Sequence, residues 1–354
     1  MLNKSINTLF GFFACVLVSP NQPNLAVAPK RSYTSWIVGD TSDAKRQPLG
    51  GVVLAGGSTD VDAAMRWFLR QSGGGDVLIL RASGSDGYNE YLYRKLGEAV
   101  NSVETILLRD RASSNDSVLI RKIRQAEAIF FAGGDQANYV NFWQGTPVAD
   151  AVNERIKAGA VVGGTSAGCG ILGQTYFSAI EGSVTSEEAL ANPYDKRVDI
   201  RRDDFLKQPL LDNTLTDMHY SARNRQGRHL AFMARAATDW AIRPRGIGID
   251  EKTAVCVTPD GNVMVFGLGN AYFLQMTRKK PEVCTQNQSL SWNRKGKAVQ
   301  VVTIAGSIDG AKGFNLTSFQ PTTKAKKEYW YVHSGTLARV FIRASVRTKN
   351  GRIQ

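Results

Sequence analysis

The motif G-T-S-A-G at positions 164–168 places a serine between glycines, where an apolar strand is expected to turn into a helix. A sharp turn of this kind projects the serine hydroxyl beyond the sheet edge, and the flanking glycines relieve the crowding. Amide groups at the start of the helix can stabilise an oxyanion. We therefore expect Ser166 to be a nucleophile, with a glycine-rich turn without chemistry as the alternative.

A serine nucleophile needs a base, most often a histidine, and the chain contains three histidines. His219 stands just before a predicted helix, at an expected strand end. His229 falls inside that helix beside Arg228, and His333 falls in a basic carboxyl-terminal segment. His219 is therefore the predicted base.

The base in turn needs an acid to orient it. Asp250 and Glu251 directly follow an apolar strand predicted at 246–249, and the residues alone do not choose between them. Glu181 and Asp212 remain alternatives. The resulting order is serine, histidine, acid, whereas α/β-hydrolases have serine, acid, histidine.

Two further segments suit substrate binding. The glycine pair at 133–134 lets backbone amides approach a substrate oxygen, and Asp135 and Gln136 follow it. The alternative is a plain turn in which Asp135 caps a helix.

Three arginines follow the predicted base, namely Arg223, Arg225 and Arg228. Positions 225 and 228 share a helix face, with 223 at its border. Guanidinium groups near a nucleophile suit the recognition of substrate carboxylates. A solvated basic face is the alternative.

These residues need a scaffold, and the region from 51 to 164 predicts one. Apolar runs at 51–55, 76–80, 103–108, 126–132 and 160–164 alternate with helical patterns at 60–71, 89–100, 117–125 and 148–157. Such alternation is typical of an α/β fold, with a mostly parallel sheet and helices on both faces. Functional loops in these folds lie at the carboxyl ends of the strands.

The carboxyl-terminal part differs in charge and pattern. Residues 277–354 contain 15 basic and 3 acidic residues, whereas the rest of the chain is nearly neutral. The segment predicts strands, so we expect a small basic β-rich appendage. Such asymmetry favours an anionic partner surface; a solvated face that aids solubility is the alternative.

The first 28 residues have the pattern of a secretory signal. Lys4 precedes an apolar run of about ten residues, which is too short to span a bilayer, and Ala26-Val27-Ala28 resembles a cleavage site. We expect export to the periplasm or the outside of the cell, with no membrane span after the signal. Cys169, Cys256 and Cys284 then remain, either as buried thiols or as one disulfide and one free thiol.

Four segments together resemble the cyanophycinase-like serine peptidases, relatives of aspartyl dipeptidase. They are F-A-G-G-D-Q at 131–136, G-G-T-S-A-G at 163–168, D-M-H-Y-S-A-R-N-R-Q-G-R at 217–228 and G-I-G-I-D-E-K-T-A at 246–254. Their order and spacing agree over roughly residues 51–274. The resemblance implies a class I glutamine amidotransferase-like, flavodoxin-like sandwich and no metal or cofactor.

The resemblance also implies roles for individual residues. Ser166 is the nucleophile, His219 the general base and acid, and Glu251 the orienting acid. An oxyanion hole is implied from the amides of Gly134 and Ala167. The residues implied around the substrate are Gln136, Asp217, Arg223, Arg225 and Arg228.

The activity implied is hydrolysis of cyanophycin, a poly-aspartate backbone carrying arginine on each side chain. One departure bears on this substrate: members that degrade cyanophycin typically have glutamine just before the histidine, and this chain has Met218. A peptidase for other β-aspartyl or acidic peptides is therefore an alternative, as is a catalytically silent exported binding protein that uses the basic tail. An amidotransferase would need cysteine in place of Ser166, and an esterase would place the acid before the histidine.

These expectations divide the chain into a signal at 1–28, a catalytic domain at 48–275 and a basic extension at 276–354. The expected partner is a peptide or polymer substrate. A homodimer and an anionic surface bound by the tail are further expectations.

Overall fold

Five apolar strands form the parallel centre of a ten-stranded sheet in the computed structural model, which describes residues 32–341. Within this range the strands are β1 (Thr34–Gly39), β2 (Val52–Ala55), β3 (Asp76–Arg81), β4 (Ser102–Leu107), β5 (Ala128–Phe131), β6 (Val161–Thr165), β7 (Thr175–Phe177), β8 (Ile200–Arg202), β9 (Thr214–Asp217), β10 (Arg245–Ile249), β11 (Thr253–Val257), β12 (Asn262–Gly267), β13 (Asn270–Met276), β14 (Val299–Ala305), β15 (Ala311–Asn315), β16 (Gln320–Pro321), β17 (Lys326–His333) and β18 (Thr336–Phe341). The predicted signal at 1–28 lies outside the described residues.

The larger sheet has the order β1-β4-β3-β5-β6-β2-β11-β12-β15-β16. Strands β4, β3, β5, β6 and β2 run parallel, and the strands at either side of them pair antiparallel. The parallel centre contains the five strands predicted from the sequence, with helices at three of the four predicted positions, 60–71, 117–125 and 148–157. The predicted α/β class is confirmed, with antiparallel strands added at both edges.

The helices that cover these sheets vary in length. They are α1 (Asp62–Gln71), α2 (Ser117–Gln125), α3 (Gln136–Trp143), α4 (Pro147–Lys157), α5 (Ala167–Gly170), α6 (Ser186–Ala191) and α7 (Gln226–Asp239). The helix predicted at 89–100 is reduced to a π-helical turn at Tyr91–Lys95. Gly97 then adopts a left-handed φ of 74°, which ends helical geometry there.

The parallel centre is covered on both faces because its strand residues alternate in direction. Val53 and Phe130 pack with α1 on one face. Leu54 and Phe131 pack on the other face with side chains of α2, α3 and α4. The predicted placement of helices on both faces is thus confirmed.

A second sheet of six strands has the order β18-β17-β14-β13-β10-β9. On one face, Leu230 and Met233 of α7 pack in a cluster with Trp330. On the other face, Phe273 stacks on Phe314 of the larger sheet at 4.1 Å between ring centroids. In this sheet β9 and β10 run parallel, so their carboxyl ends lie side by side.

The carboxyl-terminal segment is β-rich, as predicted, and it adds strands to both sheets. The predicted boundary at 275/276 falls inside β13, which pairs with β14 from Asn270↔Ala305 to Met276↔Val299. Residues on both sides of this boundary belong to one compact unit. Between 32 and 341 we find no helix with the length and apolarity needed to cross a bilayer.

The three remaining cysteines, Cys169, Cys256 and Cys284, are all buried free thiols. Burial raises the pKa of the Cys256 thiol well above its usual range. Of the two alternatives left open by the sequence, the structure therefore contains the buried thiols.

Candidate active site

Ser166 lies between β6 and α5 with a strained backbone, at φ 50° and ψ −123°. The turn is so tight that a Cβ on Gly164 would lie 2.4 Å from the carbonyl carbon of Gly168. A Cβ on Gly168 would lie 2.1 Å from the carbonyl oxygen of Phe131. Both positions therefore require glycine, and the predicted strand–serine–helix turn is present.

Ser166, His219 and Glu251 form a continuous chain of contacts. Ser166 Oγ lies 2.8 Å from His219 Nε2, and His219 Nδ1 lies 2.7 Å from Glu251 Oε1. The fold explains this proximity, because His219 follows β9 and Glu251 follows the parallel neighbour β10. The other two histidines lie elsewhere: His229 is buried against Tyr220, and His333 is exposed at the end of β17.

The protonation states suit a proton acceptor beside the serine. Burial lowers the pKa of His219 below its usual 6.5, and the charges of Arg223 and Arg225 act in the same direction. The hydrogen bond to Glu251 opposes this shift. The same hydrogen bond, with the charge of His219, lowers the pKa of Glu251. At neutral pH the pair is therefore a neutral imidazole held by a carboxylate.

Asp250, the neighbour of Glu251, points away from His219. Its Oδ1 accepts a hydrogen bond from Ser221 N at 2.9 Å, and its Oδ2 accepts one from Asn270 N at 3.0 Å. Asp250 thus ties the turn after β10 to the segment that follows His219. The contact with the histidine belongs to Glu251 alone of the two adjacent acids.

The loop after β2 contacts both the backbone and the imidazole of His219. The sequence did not predict this contact. His219 N donates to Gly56 O at 2.8 Å. A Cβ on Gly57 would lie 2.5 Å from both Cε1 and Nε2 of the imidazole. The glycine pair after the first apolar run was the available signal, but the sequence does not show which residue it meets.

The segment predicted to bind a substrate oxygen borders Ser166. A Cβ on Gly133 would lie 3.5 Å from Ser166 Cβ, which places Gly134 one peptide further along. Within residues 32–341, neither Gly134 N–H nor Ala167 N–H donates a hydrogen bond to another protein group. Two amide donors next to Ser166 are thus free.

The next two residues already have partners within the protein. Asp135 caps α3, because its Oδ1 accepts a hydrogen bond from Ala137 N at 3.0 Å. Gln136 donates its side-chain amide to the carbonyl oxygen of Phe177. The capping alternative for Asp135 is therefore what the structure contains.

The three arginines after His219 separate into two groups. Arg228 is buried and forms a bidentate pair with Asp217, at 2.8 and 2.6 Å, and Arg225 contacts the same carboxylate at 3.2 Å. Burial alone would raise the pKa of Asp217, but these two cations hold it below its usual range. Arg223 is exposed, and its charge lowers the pKa of both His219 and Glu251. Arg223 is therefore the member of the group whose guanidinium has no hydrogen-bond or ion-pair partner among residues 32–341.

Met218 is buried next to this ion-pair cluster. Its Sδ lies 3.3 Å from Arg225 Nη1, and its carbonyl oxygen accepts a hydrogen bond from the same guanidinium at 2.9 Å. A Cβ on Gly170 would lie 2.5 Å from Met218 Cε and 2.7 Å from Gln136 Oε1. Met218 and Gln136 thus pack against the helix that follows Ser166.

No group of three or more histidine, cysteine, aspartate or glutamate side chains is arranged to hold a metal ion in the part of the chain described. The serine, histidine and carboxylate are instead joined directly, at the carboxyl ends of parallel strands. The fold and this contact chain together match the arrangement that serine hydrolases use.

Comparison with known proteins identifies the family. The sequence profile of peptidase family S51 matches residues 52–264, more than half of the chain. The chain therefore belongs to peptidase family S51. This range includes Ser166, His219 and Glu251, and it ends before β13.

Individual relatives are distant. The chain is 29% identical to a cyanophycinase of Synechococcus elongatus over 180 residues, which are 51% of this chain and 50% of the relative. It is 26% identical to a cyanophycinase of Geminocystis herdmanii over 191 residues, 54% of this chain and 60% of the relative. The chain thus spans about half the length of the curated relatives it matches. A solved peptidase from an acI-B1 actinobacterium aligns with 64% of this chain and 91% of its own, at 15% identity and a TM-score of 0.44.

Proposed function

We propose that this protein is an exported serine peptidase that hydrolyses cyanophycin or related β-aspartyl and acidic peptides through an acyl-enzyme on Ser166. The observation that carries the proposal is the unbroken chain of contacts from Ser166 Oγ through His219 to Glu251, at 2.8 and 2.7 Å. Membership of peptidase family S51 and similarity to proteins named cyanophycinase support the reaction class.

In the proposed mechanism, His219 Nε2 takes the hydroxyl proton as Ser166 Oγ attacks the carbonyl carbon of the scissile amide. Glu251 holds Nδ1–H and stabilises the imidazolium that forms. The free amides of Gly134 and Ala167 are the proposed donors to the oxyanion, a contribution typically worth about 3 kcal/mol per donor.

The imidazolium then gives its proton to the leaving amine, and the C–N bond breaks to leave an ester on Ser166. Water attacks this ester with His219 again as the base, so the carboxylate product leaves and the serine hydroxyl is restored. The lowered pKa of His219 supports this role, because it keeps the base neutral at physiological pH.

The proposed substrate carries a carboxylate next to the scissile bond, since Arg223 has an exposed guanidinium beside the base that is unpaired within the described part of the chain. Arg225 and Arg228 support the site differently, by holding Asp217 at the end of β9. The side chain of Met218 has no amide group that could donate a hydrogen bond to cyanophycin. Acidic and β-aspartyl peptides other than cyanophycin are therefore included in the proposal.

The test is a hydrolysis assay on insoluble cyanophycin, on β-aspartyl-arginine and on acidic α-linked dipeptides. Wild type is compared with Ser166→Ala and with Ser318→Ala, a matched change at an exposed serine outside the site. We expect wild type and Ser318→Ala to release product equally and Ser166→Ala to lose at least ~10³-fold. A serine-directed phosphonate should label wild type but not Ser166→Ala.

The outcomes separate the alternatives. Hydrolysis of acidic peptides without hydrolysis of cyanophycin would retain the peptidase and reject that polymer as substrate. No hydrolysis and no labelling would favour the silent binding protein. Export is tested separately, by amino-terminal sequencing of the protein recovered outside the cytoplasm; a retained Met1 would contradict it.

A further inference from the structure

A basic cleft lies at the end of the second sheet opposite to Ser166. It has a volume of roughly 600 Å³, and six cations line it: Arg243, Arg278, Lys279, Arg294, Lys295 and Lys297. Five of the six come from the segment beyond residue 264, where the family match ends. The cleft is therefore mainly a feature of this chain's carboxyl-terminal strands and loops.

The charges of the basic cleft are almost uncompensated. Among the described residues, Arg294 is the one member with an ion pair, to Glu282 at 3.4 Å. The Glu282 carboxylate also accepts hydrogen bonds from the backbone amides of Asn293 and Arg294, at 2.8 and 2.9 Å, which holds it at the cleft wall. Like charges gathered in a concave surface raise the local positive potential and attract anions.

The positive surface continues beyond the basic cleft. A neighbouring cavity of roughly 420 Å³ shares Arg243 and adds Arg202 and Arg245, with Asp212 as its acid. Cations line both of these adjoining cavities. Such a surface fits a chain with several anionic groups better than it fits one small anion. We therefore consider an extended polyanion as the ligand.

The lining argues against nucleic acid as this polyanion. Single-stranded nucleic acid is usually held by a series of aromatic side chains on which bases stack. Of the described residues that line the basic cleft, Tyr329 alone is aromatic, and the Lys297 ammonium already lies 6.0 Å from the centre of its ring. Carboxylates, by contrast, pair well with arginine forks and lysine ammonium groups.

We infer that the basic cleft binds an acidic polypeptide chain through its carboxylates, as a docking site separate from the catalytic one. The choice of an acidic polypeptide rests on the proposed function, which brings that class of molecule to the protein. Arg243 lies just before β10 and Glu251 just after it, so the two sites are roughly 25 Å apart along the strand direction. A docked chain leaves Ser166 free, and about eight further extended residues would reach it.

The experiment uses the full chain with Ser166→Ala, so that the ligand stays intact. Fluorescence anisotropy measures binding of labelled long poly-L-glutamate to this protein and to two triple variants. The cleft variant carries Lys279→Glu, Lys295→Glu and Lys297→Glu. The control variant makes the same change in net charge at exposed lysines elsewhere, with Lys95→Glu, Lys157→Glu and Lys207→Glu.

We expect the cleft variant to raise the Kd at least ~10-fold and the control variant to change it less than ~2-fold. Equal weakening in both variants would overturn the proposal, because total charge and not the cleft would then bind the polymer. Tighter binding of a single-stranded oligonucleotide, lost in the cleft variant, would also overturn it. Binding is measured without turnover, so an absence of peptidase activity would leave this result unaffected.

Discussion

The imidazole of His219 rests directly on the backbone of Gly57. A Cβ at that position would lie 2.5 Å from Cε1 and Nε2, closer than carbon and nitrogen atoms approach without a bond. Gly57 also has a left-handed φ of 94°. The loop after β2 therefore sets the position of the proposed base, although it contributes no reactive group.

Gly57→Ala should consequently displace His219 from Ser166. A shift near 1 Å in a catalytic group can cost about 10²-fold, and we expect kcat/KM to fall by about that factor. Gly182→Ala is the matched control, because Gly182 has a φ of 95° but open space where its Cβ would lie. Equal activity of the two variants would show that the imidazole does not depend on this contact.

Replacement of the proposed orienting acid should change both the rate and the pH profile. The base acts when neutral, so wild-type kcat/KM should fall as pH drops through a His219 pKa that lies below 6.5. Glu251 raises that pKa, so Glu251→Gln should move the acid limb to still lower pH and reduce kcat/KM by about 10²–10⁴-fold. Glu181→Gln, at an exposed acid, is the control. An acid limb that stays in place or moves upward would refute this role of Glu251.

The strained backbone of Ser166 predicts an unusual order of stability. Glycine adopts φ 50° more readily than alanine does. The free energy of unfolding of Ser166→Gly should therefore be about 1 kcal/mol higher than that of Ser166→Ala. Urea denaturation measures this difference. At Ser318, which has no left-handed φ, the order should reverse and glycine should be the less stable residue. The same order at both positions would mean that the turn stores no strain.

Asp250 should act as a positioning residue. Asp250→Asn would place an amide donor opposite Asn270 N–H or Ser221 N–H, and an unmet hydrogen bond of this kind costs about 1–3 kcal/mol of stability. We expect kcat to fall about 10-fold or more as the turn that carries Glu251 shifts. The acid limb should stay in place, because the charge of Glu251 is retained. If the acid limb of the kcat/KM profile moved in Asp250→Asn as it does in Glu251→Gln, this division of roles would be contradicted.

Local patterns made the parallel centre and the turn at Ser166 predictable from sequence. The close neighbours of Gly164 are Gly168 and Cys169 of the same short segment, so a tight turn there can be read locally. Gly168 instead lies against Phe131 at the end of β5, a contact that the local pattern does not show. The choice between Asp250 and Glu251 was not predictable from the residues alone. It depends on Ser221 and Asn270, which the fold brings to Asp250 from other segments.

The arginines illustrate a second limit of sequence reasoning. Their spacing predicted a shared helix face, but it could not show that Arg225 and Arg228 already share the carboxylate of Asp217. A pairing between a strand end and a helix start depends on how α7 crosses β9. Only Arg223 of the three then remains for an external carboxylate.

The strands after residue 264 limit how far this chain can be shortened from its carboxyl terminus. Strand β13 pairs with β10 along its whole length, up to the turn that carries Glu251. A protein trimmed to the family match would leave β10 with an open edge on that side. Loss of β13 would thus remove a support of the turn that carries Glu251, while Ser166 and His219 stay in the chain. For the same reason, residues 52–264 alone would lack the strand that holds β10, and they are unsuitable for transfer into another protein.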